Sequence, residues 1–194
     1  MRGGVSFRGE KHQEGLLHMA SDFTVLARAC GFDAAAPLKV SALRFLPEVR
    51  AMCAANRCRT YDKSWSCPPA TGTLEELQAR CSAFQSGLLA QTVGAREDPF
   101  DFEAIQELQL RHAENFATLT KRLKQQLPAL WPMGIAACRR CEVCTWPDAP
   151  CRFPEEVFPP MEACGLLVSE VCQACGLPYY YGSDHISFTS CWLF

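Results

Sequence analysis

The sequence predicts a small α/β (or α+β) fold in which a sheet of about four strands packs against helices. Three observations predict it. Apolar residues recur at helical spacing in three long segments, short apolar runs bounded by Gly or Pro read as strands, and the two kinds of segment alternate along the chain. With 194 residues, 48% of them hydrophobic and 21% charged, a single domain over 1–194 is expected.

Taken in order, Glu10 to Ala29 carries Leu16, Leu17, Met19, Ala20, Phe23, Leu26 and Ala27 as a helical stripe, with Gly31 as its stop. Val40 to Leu46 reads as a strand ending at Pro47. Arg50 to Gly72 is rich in Cys, Arg and Pro and reads as a loop. From Thr73 a short helix follows, with Thr73 as cap and Glu76 three residues on. Gly87 to Gly94 reads as a buried strand.

Asp101 to Leu127 gives the clearest helical pattern. Ile105, Leu108, Phe116, Leu119, Leu123 and Leu127 share a face, with His112 in line, and Pro128 ends the segment. Met133 to Cys138 reads as a short strand feeding a second cysteine loop. Met161 to Ala174 reads as a helix entered from Pro160 and ended before Gly176. The tail from His185 alternates as a strand.

The net charge of −2 gives no reason to expect nucleic acid as a partner. The first residues hold no apolar run suited to a secretory signal, and no stretch approaches a membrane span, so a cytoplasmic location is expected. The 13 cysteines are the anomaly. A chain kept reduced gains little from disulfides, and an odd count leaves one thiol unpaired in any case. Metal ligation explains them better.

Cys138, Cys141, Cys144 and Cys151 form a C-x2-C-x2-C-x6-C run. Thiols this close let one tight loop present ligands to the separate corners of a cubane cluster. A lone zinc ion needs its donors to converge on one point, and structural zinc sites mostly use two well-separated pairs. The bacterial ferredoxin run opens with the same C-x2-C-x2-C, although here x6 precedes the fourth Cys and Arg152 follows it. An iron–sulfur cluster of the 4Fe-4S type is the leading expectation, with zinc as the alternative.

Cys53, Cys58 and Cys67 form a second group, spaced C-x4-C-x8-C. Three local thiols leave one coordination position to Cys81, His112 or a C-terminal Cys, or leave it open. Tyr61 and Trp65 are placed to shield a cluster. Arg50, Arg57, Arg59 and Lys63 make the loop basic, so a redox partner protein or a small anionic ligand is expected to meet it.

The two loops together carry a resemblance. YDKSWSCPP, then CRRCEVC with PCRFP, then PPMEACGLLV, resemble the DUF2284 family of predicted metal-binding proteins from about Val49 onward. The resemblance implies that Cys53, Cys58, Cys67, Cys138, Cys141, Cys144 and Cys151 bind metal, with Arg152, Glu162 and Gly165 in the motif that follows. It implies no particular reaction. Cys30, Cys81, Cys164, Cys172, Cys175 and Cys191 fall outside the pattern. Cys172 and Cys175 read as ordinary buried thiols, His112 as a helix histidine, His185 as a turn residue, and Arg152 with Glu162 as a pair fixing the second loop.

Overall fold

Antiparallel pairing between two distant segments is the spine of the molecule. In the computed structural model, which describes residues 22–194, strand β2 (Ser86–Ala95) pairs along nine positions with strand β4 (His185–Leu193). Strand β1 (Ala34–Lys39) lies outside β2 and strand β3 (Trp131–Met133) outside β4, giving one sheet of order β1-β2-β4-β3. Alternate residues of the central strands face opposite sides, and both sides are covered. Leu88, Ala90 and Trp192 pack beneath helix α1 (22–29) and helix α4 (Phe102–Lys124). Leu89, Cys191 and Leu193 pack with helix α3 (Leu74–Cys81), helix α5 (Val168–Ala174) and Met161. Burial on both faces is why β2 reads as a continuous apolar run rather than an alternating one.

The mixed fold with a four-stranded sheet is as expected, and so are β2, α3, α4 and β4. Thr73 caps α3 through a complete capping box with Glu76. The predicted first helix is present over 22–29, and its part from Glu10 to residue 21 lies outside the described residues.

Four segments differ from expectation. The strand expected over Val40 to Leu46 sits earlier, at Ala34–Lys39, and Val40–Ala42 forms a 3-10 turn. Its Ala-rich sequence has little strand propensity, and Pro37 is tolerated because β1 is an edge strand. Pro47 does not end a strand. It opens helix α2 (Pro47–Ala54), where its missing N–H costs nothing, so Cys53 stands on a helix and not in a loop. The strand expected over Met133 to Cys138 stops at Met133, and beyond it only Gly134 makes a bridge, to Pro160. The helix expected over Met161 to Ala174 is broken at Gly165, whose φ is +82° and where a Cβ would meet Leu74 at 2.5 Å. A 3-10 turn, Glu162–Cys164, precedes that break.

His112 is part of the core. Its ring nitrogens lie 2.9 Å from Thr92 Oγ1 and 2.8 Å from Ser190 Oγ, and Phe32 meets it edge-on. Burial first, and then the Arg111 charge, push its pKa down to about 3. Protonation therefore favours the unfolded chain, in which the imidazole titrates near 6.5. Stability from this group is complete above that pH and is lost as pH falls toward 3, by up to roughly 4–5 kcal/mol. Urea unfolding at a series of pH values should show His112→Gln with a flatter pH dependence below pH 6.5 than the parent chain. Parallel curves would contradict this reading of His112.

Candidate metal centre

Cys53 occupies the last turn of α2, and Arg50 fixes that helix in place. The Arg50 guanidinium donates to Thr71 Oγ1 at 2.9 Å, to the Gly72 carbonyl at 2.8 Å and to the Ala163 carbonyl. Its donors are therefore spent on residues 71–72 and on the turn around residue 163, and it is not a free charge on the loop as the sequence suggested. The Leu46 N–H adds a bond of 2.8 Å to the Gly165 carbonyl. This places Cys53 Sγ 3.6 Å from the Glu162 carbonyl.

The chain from α2 to Cys67 is held in an unusual backbone. Asn56, Arg59 and Asp62 all have positive φ, of 51°, 61° and 56°. Each left-handed non-glycine residue costs on the order of 1 kcal/mol or more, and such strain persists only where the surroundings fix it. Asn56 Oδ1 accepts from the Tyr61 N–H at 3.1 Å, and Asp62 Oδ1 accepts from Trp146 Nε1 at 2.8 Å. The conformation gathers donors on Cys58. The Thr60 hydroxyl lies 3.0 Å from its sulfur, and the backbone N–H groups of Thr60 and Tyr61 point to it. These donors, the hydroxyl foremost, lower the Cys58 thiol below its ordinary range. The same hydroxyl is 3.6 Å from Cys67 Sγ. At Cys67 and Cys53 burial dominates and raises the thiol. For Cys53, Arg50 opposes that rise, and Glu162 adds to it more than Cys58 or Cys67 does.

The second loop repeats the device. Cys138, Cys141, Cys144 and Cys151 all line one small cavity, closed by Ser64, Trp65 and Phe153. Burial alone would raise the Cys144 thiol. The N–H groups of Trp146, Trp65 and Thr145 and the Ser64 hydroxyl outweigh it, and the thiol is lowered. Two donors of this set, the Trp65 N–H and the Ser64 hydroxyl, come from the first loop.

Indeed the two loops interlock. The Cys138 N–H donates to Ser66 Oγ at 2.7 Å, and Trp65 Nε1 donates to Thr145 Oγ1 at 3.2 Å. Trp65 and Trp146 meet edge-on at 4.7 Å between ring centres. On the far side of this shared wall lies a much larger cavity of about 920 Å³, bordered by Cys53, Cys58 and Cys67. Ala136, Ala137 and Arg139 face the large cavity, while Cys138, Arg140 and Cys141 face the small one.

All seven cysteines singled out in the sequence thus border two adjoining cavities, four on one and three on the other. Among the described residues, no three side chains of His, Cys, Asp or Glu converge closely enough to hold a single metal ion. The thiols are spread around the cavity walls instead. The candidates for a fourth position at the Cys53 loop do not reach it. Cys81 and Cys191 are buried in the core, and His112 is engaged on the other face of the sheet.

Glu162 does border the large cavity. It opens to solvent through that cavity, yet protein surrounds it closely enough for desolvation to raise its carboxyl. It does not pair with Arg152, which donates to the Val143 carbonyl at 3.0 Å beside the other cavity. Thr60, Ser64 and Ser66 were missed in the sequence, although hydroxyls interleaved with cysteines were the visible signal. Cys164 and Cys191 are buried with thiols pushed upward, and Cys172 accepts from Gln91 Nε2 at 3.4 Å, as expected of ordinary core thiols.

A family model described as a predicted metal-binding protein, DUF2284, matches residues 36–194. The chain belongs to that family. The DUF2284 match takes in both cysteine loops and the wall between them, and its description supports metal binding as the coarse function. No curated protein and no solved structure matches the chain. No helix among the described residues is long and apolar enough to cross a membrane.

The hydrogen-bond pattern makes the cysteines unequal. In metal-free protein at neutral pH, iodoacetamide should modify Cys58 and Cys144 first, while Cys164 and Cys191 resist. Thr60→Val should slow modification at Cys58 and leave Cys144 unchanged. Peptide mass spectrometry over time reads both effects, and equal rates at Cys58 and Cys164 would refute the pattern.

Proposed function

We propose that this DUF2284 protein is an iron–sulfur protein serving electron transfer or redox chemistry. In this reading Cys138, Cys141, Cys144 and Cys151 hold one cluster, of the 4Fe-4S type. Cys53, Cys58 and Cys67 hold a second with one corner left to a non-protein ligand. The observation that carries the reading is that four thiols from a single loop surround one cavity without converging on a point. A cubane takes its ligands at separate corners and matches such a spread of thiols once the cavity, about 20 Å³ in volume, widens around it, whereas tetrahedral zinc needs all four within bonding distance of one ion.

The donor set supports the same choice. Seven thiols, with N–H and hydroxyl donors aimed at Cys58 and Cys144, form a soft, anion-stabilising environment of the kind that tunes cluster potentials. A cluster in either place would supply one-electron transfer. What the chain itself contributes is the holding of the thiols, the exclusion of water by Trp65 and Trp146, and a wall thin enough for the two sites to be neighbours. A redox partner protein would exchange electrons at the exposed side of these loops, where Val143 is 73% exposed.

Protein purified without oxygen should be brown and contain iron and acid-labile sulfide. Stoichiometric zinc in a colourless protein would overturn the proposal. Each Cys→Ser change at 138, 141, 144 or 151 should lower iron and sulfide together, and Cys30→Ser should lower neither. Brief exposure to air should remove metal first from the Cys53 loop, because three thiolates hold a cluster less firmly than four and the open corner admits oxidant. Loss from the Cys138 loop first, followed by metal analysis in single-loop variants, would rule out the open second site.

A further inference from the structure

The large cavity has more than thiols on its walls. Val49, Met52, Ile135, Ala136 and Leu167 give it an apolar lining, and at about 920 Å³ it falls at the upper end of the range of small-molecule sites. Arg57 and Arg139, both exposed to solvent, border it from different segments, one in the first cysteine loop and one in the wall shared with the second. Among the described residues, neither guanidinium has an ion pair or side-chain hydrogen bond. Two acids, Glu48 and Glu162, border the same space.

We infer that this cavity binds a small organic monocarboxylate, its carboxylate held by Arg57 and Arg139 and its apolar body against Val49, Met52 and Ile135. The inference deepens the proposed function and rests on it in one respect: the three thiols mark the end of the cavity where the ligand would meet the metal. The rest follows from the walls. A planar guanidinium fork matches a carboxylate in two parallel hydrogen bonds, and two unpaired forks on one cavity are a receptor for such a group. An inorganic phosphate would leave the apolar lining in contact with water. Its second negative charge would also stand against Glu48, Glu162 and the cysteine thiolates. A neutral molecule of the same shape would leave both arginines paired with water alone. One negative charge on an apolar body is the chemistry that suits the two arginines and the apolar lining together.

Calorimetric titration of the anaerobically purified protein tests this with three probes: 2-naphthoate, 2-naphthalenemethanol and inorganic phosphate. Naphthoate should bind, the alcohol should bind at least about tenfold more weakly, and phosphate should not compete. The Arg57→Gln/Arg139→Gln double variant should lose about tenfold or more of the naphthoate affinity, while Arg44→Gln, on an exposed arginine paired with Glu170, should not. Equal binding of acid and alcohol, competition by phosphate, an unaffected double variant, or no naphthoate binding each overturns the inference. Iron and sulfide are measured on the same samples. Normal metal content without naphthoate binding overturns this inference alone, and naphthoate binding by a protein without iron overturns the iron–sulfur reading alone.

Discussion

The shortest of the hydrogen bonds that lock the two cysteine loops together runs from the Cys138 N–H to the Ser66 hydroxyl, 2.7 Å long and across 72 residues of sequence. It fastens the first cysteine of one loop to the residue beside the last cysteine of the other. Ser66 is fully buried and is itself braced by Ser64, 3.0 Å away. Losing it would strip the half-buried Cys138 N–H of its acceptor, so the contact has a reason to persist. Around it the two tryptophans, Trp65 and Trp146, close the space between the loops. The two cavities are neighbours because this junction leaves only a wall of chain between them.

The scaffold explains why the junction can form. Pairing of β2 with β4 builds the sheet, and β3, added to its far edge, delivers the chain directly into residues 135–141. Arg50 and Gly165 hold α2 against the turn that carries Glu162, so Cys53 reaches the cavity from the opposite side. Among the described residues, the non-glycine positions with positive φ, Asn56, Arg59 and Asp62, all lie between Cys53 and Cys67. Strain of this kind collects where a loop must aim particular atoms, and here it aims N–H groups and the Thr60 hydroxyl at sulfur.

Much of this was legible in the sequence, for identifiable reasons. Long-period patterns revealed α4 and the buried strand β2, and a capping box announced α3, because those signals are local. The spacing of the cysteines marked all seven cavity residues, since thiols in a tight series leave little else to read. What escaped depended on distant contacts. The strand Ala34–Lys39 has almost no strand propensity and exists because β2 offers it an edge. Pro47 looked like a terminator and is a helix start, a choice set by the anchoring of α2 through Arg50. The inward role of Arg50, the separation of Arg152 from Glu162, and the arrival of Arg139 beside the first loop all arise from how the two loops fold together. No window of sequence contains that information.

The proposed pair of iron–sulfur sites, side by side across a common wall, carries a magnetic signature. Electron paramagnetic resonance of the fully reduced, oxygen-free protein tests it most directly. Two neighbouring paramagnetic clusters should give a signal broadened and split by their magnetic interaction, and Cys53→Ser should collapse it to the simple spectrum of one cluster. A silent spectrum from a zinc-loaded protein, or a single unsplit signal indifferent to Cys53→Ser, would contradict the account.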